Sequence, residues 1–323
     1  MRSGHSSCLS ALLILAGAAT CALAQGPPAS QGPAAAGGGR GPAPPPLIRE
    51  NVTEKVSDHV YVIPDNSVGM VPNIGIIVGS RATLVVDTGL GARNGQTVMR
   101  EVAKVSKTPD LYLVTTHVHP EHDLGAGGFP AHTKMIRSQD QIAEIKESGL
   151  ETAKRFSGFS PLNAELLQGA EFRQASITFE QEHTLDLGGV RVRILAMGYN
   201  HTRGDTATFV ERDGILFSGD VTMSVLPAAG AASSIRQWID SQDRFGKLQP
   251  TRVVPSHGPM GDASMIARSK VFLETVQRRV PELKKQGKSV DETVSAIQSE
   301  LRDRFGESNR MAGTIRTAYA QAP

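Results

Sequence analysis

The sequence predicts an α/β fold in one large domain, residues 48–323, in which strands and helices alternate through two similar halves. Short runs of β-branched residues bounded by Pro and Gly are typical of strands, and apolar positions recur at helical spacing between them. A stretch of this length can bury one sizeable core. Residues 1–47 differ in composition and are predicted to lie outside the domain.

The N-terminal segment, residues 1–24, has the pattern of a secretory signal peptide. Arg2 precedes an apolar run from Leu9 to Ala19, and Ala22-Leu23-Ala24 has the small-x-small form of a cleavage site. This apolar run is about half of the ~20 residues that a membrane-spanning helix requires, so no membrane span is expected. Lipidation at Cys21 is disfavoured because the leucine expected before it is absent. We therefore expect an exported protein, periplasmic or secreted.

Residues 25–47 are almost wholly Gly, Pro, Ala and Gln, a composition that predicts a disordered linker. Both cysteines, Cys8 and Cys21, lie in the leader, so the mature chain would have no thiol for catalysis or for metal binding. The net charge is +2, with Lys and Arg scattered along the chain. This distribution argues against nucleic acid as a partner and leaves a small-molecule substrate.

Three short β-branched runs in the first half of the domain predict a meander of strands: Val60–Ile63, Ile74–Val78 and Thr83–Val86. Apolar positions at helical spacing predict a helix over Gln96–Val105 that packs on the sheet. The apolar run Leu111–Val114 predicts a buried strand. Glycines that follow it would let the next loop turn tightly.

The second half begins with a charged helical stretch, Ile142–Gln168, interrupted by Gly158 and Pro161. Further strands are predicted, with a hairpin turn at Gly188-Gly189 between the first two: His183–Leu187, Val190–Leu195, Thr206–Val210, Ile215–Phe217 and Val253–Val254. A helix is predicted over Ile235–Leu248. The last part, residues 263–323, is predicted to be a helical extension, with two or three helices over Ala263–Arg304.

A metal site is predicted directly after the strand Leu111–Val114, where three imidazoles and a carboxylate stand close together: His117, His119, Glu121 and His122. Imidazole and carboxylate are the ordinary ligands of catalytic zinc. Side chains two apart on an extended backbone share a face, so His117 and His119 can bind one ion together. The alternative is a His-rich surface loop that binds no metal.

Three further residues stand at the ends of apolar stretches beside glycine: His201, Asp220 and His257. Taken singly, each could be an ordinary structural residue. Their order along the chain, after a His-x-His-x-Glu-His cluster, resembles the metallo-β-lactamase-fold hydrolases. The resemblance runs from about Val60 to Gly258. It implies a four-layer αββα sandwich (metallo-β-lactamase fold) with C-terminal helices.

The resemblance implies two metal ions per chain, zinc in the first place, with iron or manganese as alternatives. His117, His119 and His201 would bind one ion, the second would be bound by Glu121, His122 and His257, and Asp220 would bridge them. Position 121 is usually Asp in that family, so the Glu here alters the second metal position; should Glu121 be no ligand, Asp123 is the next candidate. Asp87 is either a residue near the metals or a turn residue.

Two adjacent divalent ions activate a water molecule and polarise a carbonyl, which predicts hydrolysis of an ester, lactone, thioester or amide, including β-lactams. Glu121 and Asp220 are the predicted catalytic residues. An apolar wall after Asp220 is expected to favour a small neutral or amphiphilic acyl substrate: Thr222, Met223, Val225 and Leu226. Two alternatives stay open: an iron-dependent oxidoreductase of the same fold and a non-catalytic exported zinc-binding protein.

Overall fold

The computed structural model of the protein describes residues 43–226, 228–230, 233–306 and 309–323. The expected signal peptide, residues 1–24, and residues 25–42 of the expected linker lie outside these ranges. Within them, no helix combines the length and the apolar character that crossing a bilayer requires.

The first sheet has seven strands in sequence order. It is antiparallel as far as the fourth strand and parallel beyond it. Its strands are β1 (Glu54–Lys55), β2 (Val60–Ile63), β3 (Ile74–Val78), β4 (Ala82–Val86), β5 (Asp110–Val114), β6 (Lys134–Ser138) and β7 (Ile177–Phe179). Because β4 and β5 run parallel, their carboxyl ends lie side by side, which places Asp87 beside the loop that follows β5.

The second sheet has five strands: β8 (Glu182–Asp186), β9 (Arg191–Gly198), β10 (Asp205–Val210), β11 (Ile215–Gly219) and β12 (Arg252–Pro255). Neighbours are antiparallel except β11 and β12, which run parallel. The carboxyl ends of β9, β11 and β12 therefore lie at one edge of the sheet. His201, Asp220 and His257 follow these three strand ends.

The described helices are α1 (Gly91–Val105), α2 (Pro120–Asp123), α3 (Gln139–Glu144), α4 (Leu150–Ser157), α5 (Pro161–Leu166), α6 (Ile235–Leu248), α7 (Ser264–Lys285), α8 (Val290–Phe305) and α9 (Asn309–Gln321). Four of them begin after a serine whose hydroxyl accepts a hydrogen bond from a backbone N–H in the first turn. This contact satisfies one of the N–H groups that a helix start leaves unpaired. These serines are Ser138, Ser160, Ser234 and Ser289.

The main core lies between the two sheets, where Ile77 and Leu84 of the first sheet meet Val192 and Phe217 of the second. Gly75 in β3 allows this close approach, because a Cβ atom there would lie 2.5 Å from Cε1 of Phe217. The burial of these apolar side chains from water stabilises the pairing of the sheets.

Helices cover the outer faces of both sheets. Val98 and Val102 of α1 pack on the first sheet in a second apolar cluster. Trp238 of α6 and Phe272 of α7 belong to a third cluster, which joins the second sheet to α6, α7, α8 and α9. The order of layers is helix, sheet, sheet and helix, so the predicted αββα sandwich with C-terminal helices is confirmed.

Several element boundaries differ from the prediction. Helix α1 begins at Gly91 rather than Gln96, and β6 and β7 were not predicted. The stretch Ile142–Gln168 contains the end of α3, a π-helical turn at Ile145–Gly149, α4 and α5. β6 contains a fully buried arginine, Arg137, so the apolar pattern from which strands are predicted is interrupted there.

Candidate metal centre

The loop after β5 carries four of the predicted ligands: His117, His119, Glu121 and His122. The backbone of His119 is extended, with φ −63° and ψ 140°, and Pro120 begins α2 at a position where a missing N–H costs no helical hydrogen bond. The helical turn of α2 then places Glu121 and His122 on the second half of the cluster. All four side chains are buried except that of His119, which is half-buried.

The structure brings all seven predicted residues together at the edge shared by the two sheets. The potential ligand atoms form three overlapping sets, and the atoms in each set lie within 4.8 Å of one another. These sets are His117, His119 and His201; His117, His122 and Asp220; and Glu121, His122 and His257.

The first set is formed by three imidazole nitrogens. Nε2 of His117 lies 3.0 Å from Nδ1 of His119, which lies 3.3 Å from Nε2 of His201. Burial and the neighbouring imidazoles hold the pKa of His117 and of His119 well below the usual value. Both side chains are therefore neutral at physiological pH, which is the form that binds a metal ion.

The set of Glu121, His122 and His257, the second ligand set, lies on the other side of Asp220 from the first set of His117, His119 and His201. Nε2 of His122 is 3.8 Å from Oε1 of Glu121, and Nε2 of His257 is 4.0 Å from Oδ1 of Asp220. The other carboxylate oxygen of Asp220, Oδ2, lies 3.4 Å from Nε2 of His201. Asp220 therefore faces a member of each set with a different oxygen.

Among the described residues, three buried atoms of this cluster find no hydrogen-bond partner: Oε2 of Glu121, Nε2 of His122 and Oδ1 of Asp220. Leaving such groups buried and unpaired costs about 1–3 kcal/mol each, and more for charged groups. Divalent cations held by these residues would supply the missing partners. The donor set of imidazoles and carboxylates is the one that zinc, iron and manganese accept in proteins, so the residues present fit a metal ion.

The electrostatics of the second set depend on buried carboxylates. Burial raises the pKa of Glu121 to about 7. For His122 burial favours the neutral form, but the Asp87 carboxylate outweighs it and raises the pKa to about 9. Burial would raise the pKa of Asp220, yet His257 and His201 hold it below its usual value. Metal binding here would displace the proton of His122.

Four of the five histidines in the cluster have a partner at Nδ1 that fixes the orientation of the ring. Oδ2 of Asp87 lies 2.9 Å from Nδ1 of His122, and this carboxylate also accepts hydrogen bonds from the backbone N–H (2.7 Å) and hydroxyl (3.0 Å) of Thr116. Nδ1 of His201 lies 2.8 Å from the carbonyl of Ala228. Such partners select the tautomer that leaves Nε2 free to bind a metal.

The loop that carries His201 is held by two buried carboxylates. Asp205 accepts hydrogen bonds from the backbone N–H groups of His201 and Thr202, and Glu144 accepts from Arg203 (3.0 Å) and Gly204 (2.7 Å). Glu144 was not among the residues predicted from the sequence. Its position at the end of α3, far from the loop in sequence, gives no local signal of this contact.

Asp123, the predicted substitute for Glu121, does not join the cluster. Its carboxylate forms an ion pair with Arg137, whose Nη2 lies 2.8 Å away, and it accepts a hydrogen bond from the hydroxyl of Thr115. Arg137 also contacts Gln141, and the whole group is buried. This network fixes the ligand loop at Thr115 and Asp123, on either side of the four ligands.

The prediction of an apolar wall after Asp220 is wrong at three of its four positions. Thr222, Met223 and Leu226 are buried and do not form an exposed surface. The hydroxyl of Thr222 donates to Gln242 of α6, which shows that this segment packs into the protein interior. Only Val225 is exposed, at 41 %.

Other apolar side chains lie close to the cluster. The ring of Phe156, in α4, is centred 5.1 Å from that of His119, and the ring of Phe159 is 4.9 Å from Phe156. Phe159 and Tyr199 are 36 % and 42 % exposed. Tyr199 is two residues from His201. An exposed apolar surface therefore adjoins the first set of ligands.

The fold and the cluster define an αββα protein with a candidate dinuclear metal centre. The model of the metallo-beta-lactamase superfamily matches residues 68–257, more than half of the chain. The chain therefore belongs to the metallo-beta-lactamase superfamily.

Among curated proteins, the chain is similar to the human acyl-coenzyme A thioesterase MBLAC2, with 26% identity over 164 residues. The match covers 46% of this chain and 57% of that protein, so the chain spans little more than half the length of this relative.

Two solved structures share the fold. The stereoselective inverting sec-alkylsulfatase Pisa1 from Pseudomonas sp. aligns with a TM-score of 0.69 at 14% identity, over 83% of this chain and 50% of that chain. The metallo-beta-lactamase family protein TTHA1429 from Thermus thermophilus aligns with a TM-score of 0.58 at 18% identity, over 82% of this chain and 93% of that chain.

Proposed function

We propose that this protein is an exported metal-dependent hydrolase with two zinc ions per chain, acting on the carbonyl of a small acyl ester or thioester. The observation that carries the proposal is the set of three unpartnered buried atoms of Glu121, His122 and Asp220, which face one another among four further imidazoles. A thioesterase and a sulfatase among the similar proteins support hydrolysis as the reaction class. Export is inferred from the sequence of residues 1–24.

Bound divalent ions would lower the pKa of a water molecule and polarise the carbonyl that it attacks. Asp220, with one oxygen near His201 and the other near His257, would keep the two ions at a fixed separation. Glu121 has its Oε2 unpartnered on the same side and would bind the second ion or orient the attacking water.

The apolar rings of Phe156 and Phe159 lie beside His119, on the first-set side of the cluster. The ring of Phe159, which is 36 % exposed, offers a surface for the acyl chain of the substrate, because apolar groups gain free energy when they leave water, whereas Phe156 is itself buried. Met223 and Leu226 lie inside the protein and therefore cannot contact the acyl chain.

The proposal is tested with zinc-loaded mature protein and a panel of chromogenic esters, thioesters, lactones and nitrocefin. We expect turnover of acyl esters or thioesters that is lost on chelation and restored by zinc. Asp220→Ala should abolish turnover while one ion is retained by His117, His119 and His201. Unchanged kcat in Asp220→Ala would contradict the proposed role of the bridge. The absence of turnover of every substrate would contradict the hydrolase function.

A further inference from the structure

Arg310 lies in the first turn of α9 with a half-buried side chain. Its Nε donates to the carbonyl of Leu226 at 3.2 Å, and its Nη2 lies 3.7 Å from Sδ of Met223, a weak acceptor. In the described part of the chain, no carboxylate forms an ion pair with it. A guanidinium has five N–H donors, so most of the donors of Arg310 face no strong acceptor among the described residues.

The segment that Arg310 contacts belongs to the metal centre. Met223 and Leu226 follow Asp220 closely in sequence, and the carbonyl of Ala228 in the same segment fixes the ring of His201. The guanidinium therefore contacts the same segment that orients His201, at Met223 and Leu226, which precede Ala228 in sequence.

Arg268 of α7 contacts the same segment in a different way. Its Nη1 donates to the carbonyl of Ser224 at 2.9 Å, and its guanidinium lies over the ring of Phe305 at 5.1 Å from the centre. Stacking on the aromatic face occupies the side of the group that a ligand would approach. Both arginines therefore hold this segment. Only Arg310 has a guanidinium whose N–H groups are left to bind a ligand.

We propose that Arg310 binds a carboxylate of the substrate, so that the preferred substrate is an acyl ester or thioester that carries a carboxylate at a distance from the scissile carbonyl. This inference rests on the hydrolase function proposed above. The planar guanidinium presents two parallel N–H groups that match the two oxygens of a carboxylate. The exposed ring of Phe159, which packs on Phe156 beside His119, contacts the uncharged part of the same substrate.

Two substrates that differ only in a terminal methyl or carboxylate test this inference: 4-nitrophenyl hexanoate and mono(4-nitrophenyl) adipate. The measured quantity is the ratio of kcat/KM for the adipate ester to that for the hexanoate ester. We expect the wild type to prefer the adipate ester. Arg310→Met should lower the ratio by about 10- to 100-fold, the usual loss when a charged hydrogen bond is removed. Arg310→Lys should retain part of the preference.

Arg268→Met is the matched control, because it removes a guanidinium that holds the same segment, and it should leave the ratio within about twofold of the wild type, the spread expected without a lost contact. The inference would be overturned if Arg310→Met and Arg268→Met lowered kcat/KM equally for both esters, or if the wild type showed no preference between them. Either result would leave the hydrolase function standing.

If the wild type hydrolyses neither of these two esters, the hydrolase function is judged on the full substrate panel, and calorimetric titration of the zinc-loaded protein with monomethyl adipate and dimethyl adipate decides the inference. Selective binding of the monomethyl ester that Arg310→Met abolishes supports it, and equal binding by wild type and variant overturns it.

Discussion

Replacing Asp87 by Asn tests how the second ligand set is held. Asp87 has a left-handed backbone, with φ 67°, a conformation that Asn also tolerates, so the change adds little strain. One oxygen of Asp87 accepts from the backbone N–H of Thr116 at 2.7 Å, and the other lies 2.9 Å from Nδ1 of His122. An amide cannot accept at both positions. If its NH₂ faces His122, the imidazole moves its proton to Nε2, the atom that should bind metal.

We expect Asp87→Asn to weaken binding of the second zinc ion by about 10- to 100-fold, the usual effect of losing an outer partner of a metal-bound imidazole. This corresponds to about 1.4–2.7 kcal/mol of binding free energy. Competition with a chromogenic chelator measures both zinc affinities. The first ion should be bound as in the wild type, because Nδ1 of His117 lies beside the hydroxyl of Thr116 and Nδ1 of His201 beside the carbonyl of Ala228, so neither ring is oriented by direct contact with Asp87.

The control for this experiment is Asp213→Asn. Asp213 lies 3.2 Å from Nδ1 of His59 and stands before β11, at the opposite end of that strand from Asp220. The same chemical change there should leave both zinc affinities unchanged. Wild-type affinity for the second ion in Asp87→Asn would refute the claim that this carboxylate sets the tautomer of His122. Equal losses in the two variants would show a general loss of stability instead.

Three further variants test other parts of the account. Asp123→Ala should lower the free energy of unfolding by about 3–5 kcal/mol in urea denaturation, because the charge of Arg137 stays buried without its partner; a loss below about 1 kcal/mol would contradict this. Glu121→Asp, shorter by one methylene, should weaken binding of the second zinc ion and lower kcat. Unchanged metal binding and turnover in Glu121→Gln would show that this carboxylate is no ligand. Glu144→Gln keeps only one acceptor for the two backbone N–H groups of Arg203 and Gly204. It should weaken binding of the first zinc ion by about 1–3 kcal/mol of binding free energy. Glu147→Gln, at an exposed ion pair, is its control and should match the wild type; equal affinities in both variants would contradict the role of Glu144.

The sequence predicted the elements whose patterns are local. The strand Ile74–Val78 and the helix Ile235–Leu248 have the predicted bounds in the structure, because each combines a clear apolar pattern with boundary residues such as Ser234. The strand β6 was missed because a buried arginine, Arg137, interrupts its apolar pattern. Its charge is compensated by Asp123, and that long-range ion pair leaves no pattern in either segment.

The seven residues of the candidate site could be predicted from the sequence because histidines and carboxylates, the usual metal ligands, occur in a recognisable order along the chain. All seven predicted residues meet in the structure, and their roles as ligands remain the proposal made above. The residues that support them were not predictable in the same way. Glu144 and Arg310 reach the site from helices that are distant in sequence, so only the folded chain brings them near His201 and Asp220.

The zinc content of the mature wild-type protein and of His257→Ala, measured by elemental analysis after exhaustive dialysis, tests the dinuclear centre most directly. His257 belongs to the second ligand set only, and its removal leaves the three imidazoles of the first set in place. The account predicts two ions per chain in the wild type and one in His257→Ala. One ion per chain in both proteins, or none in either, would contradict it.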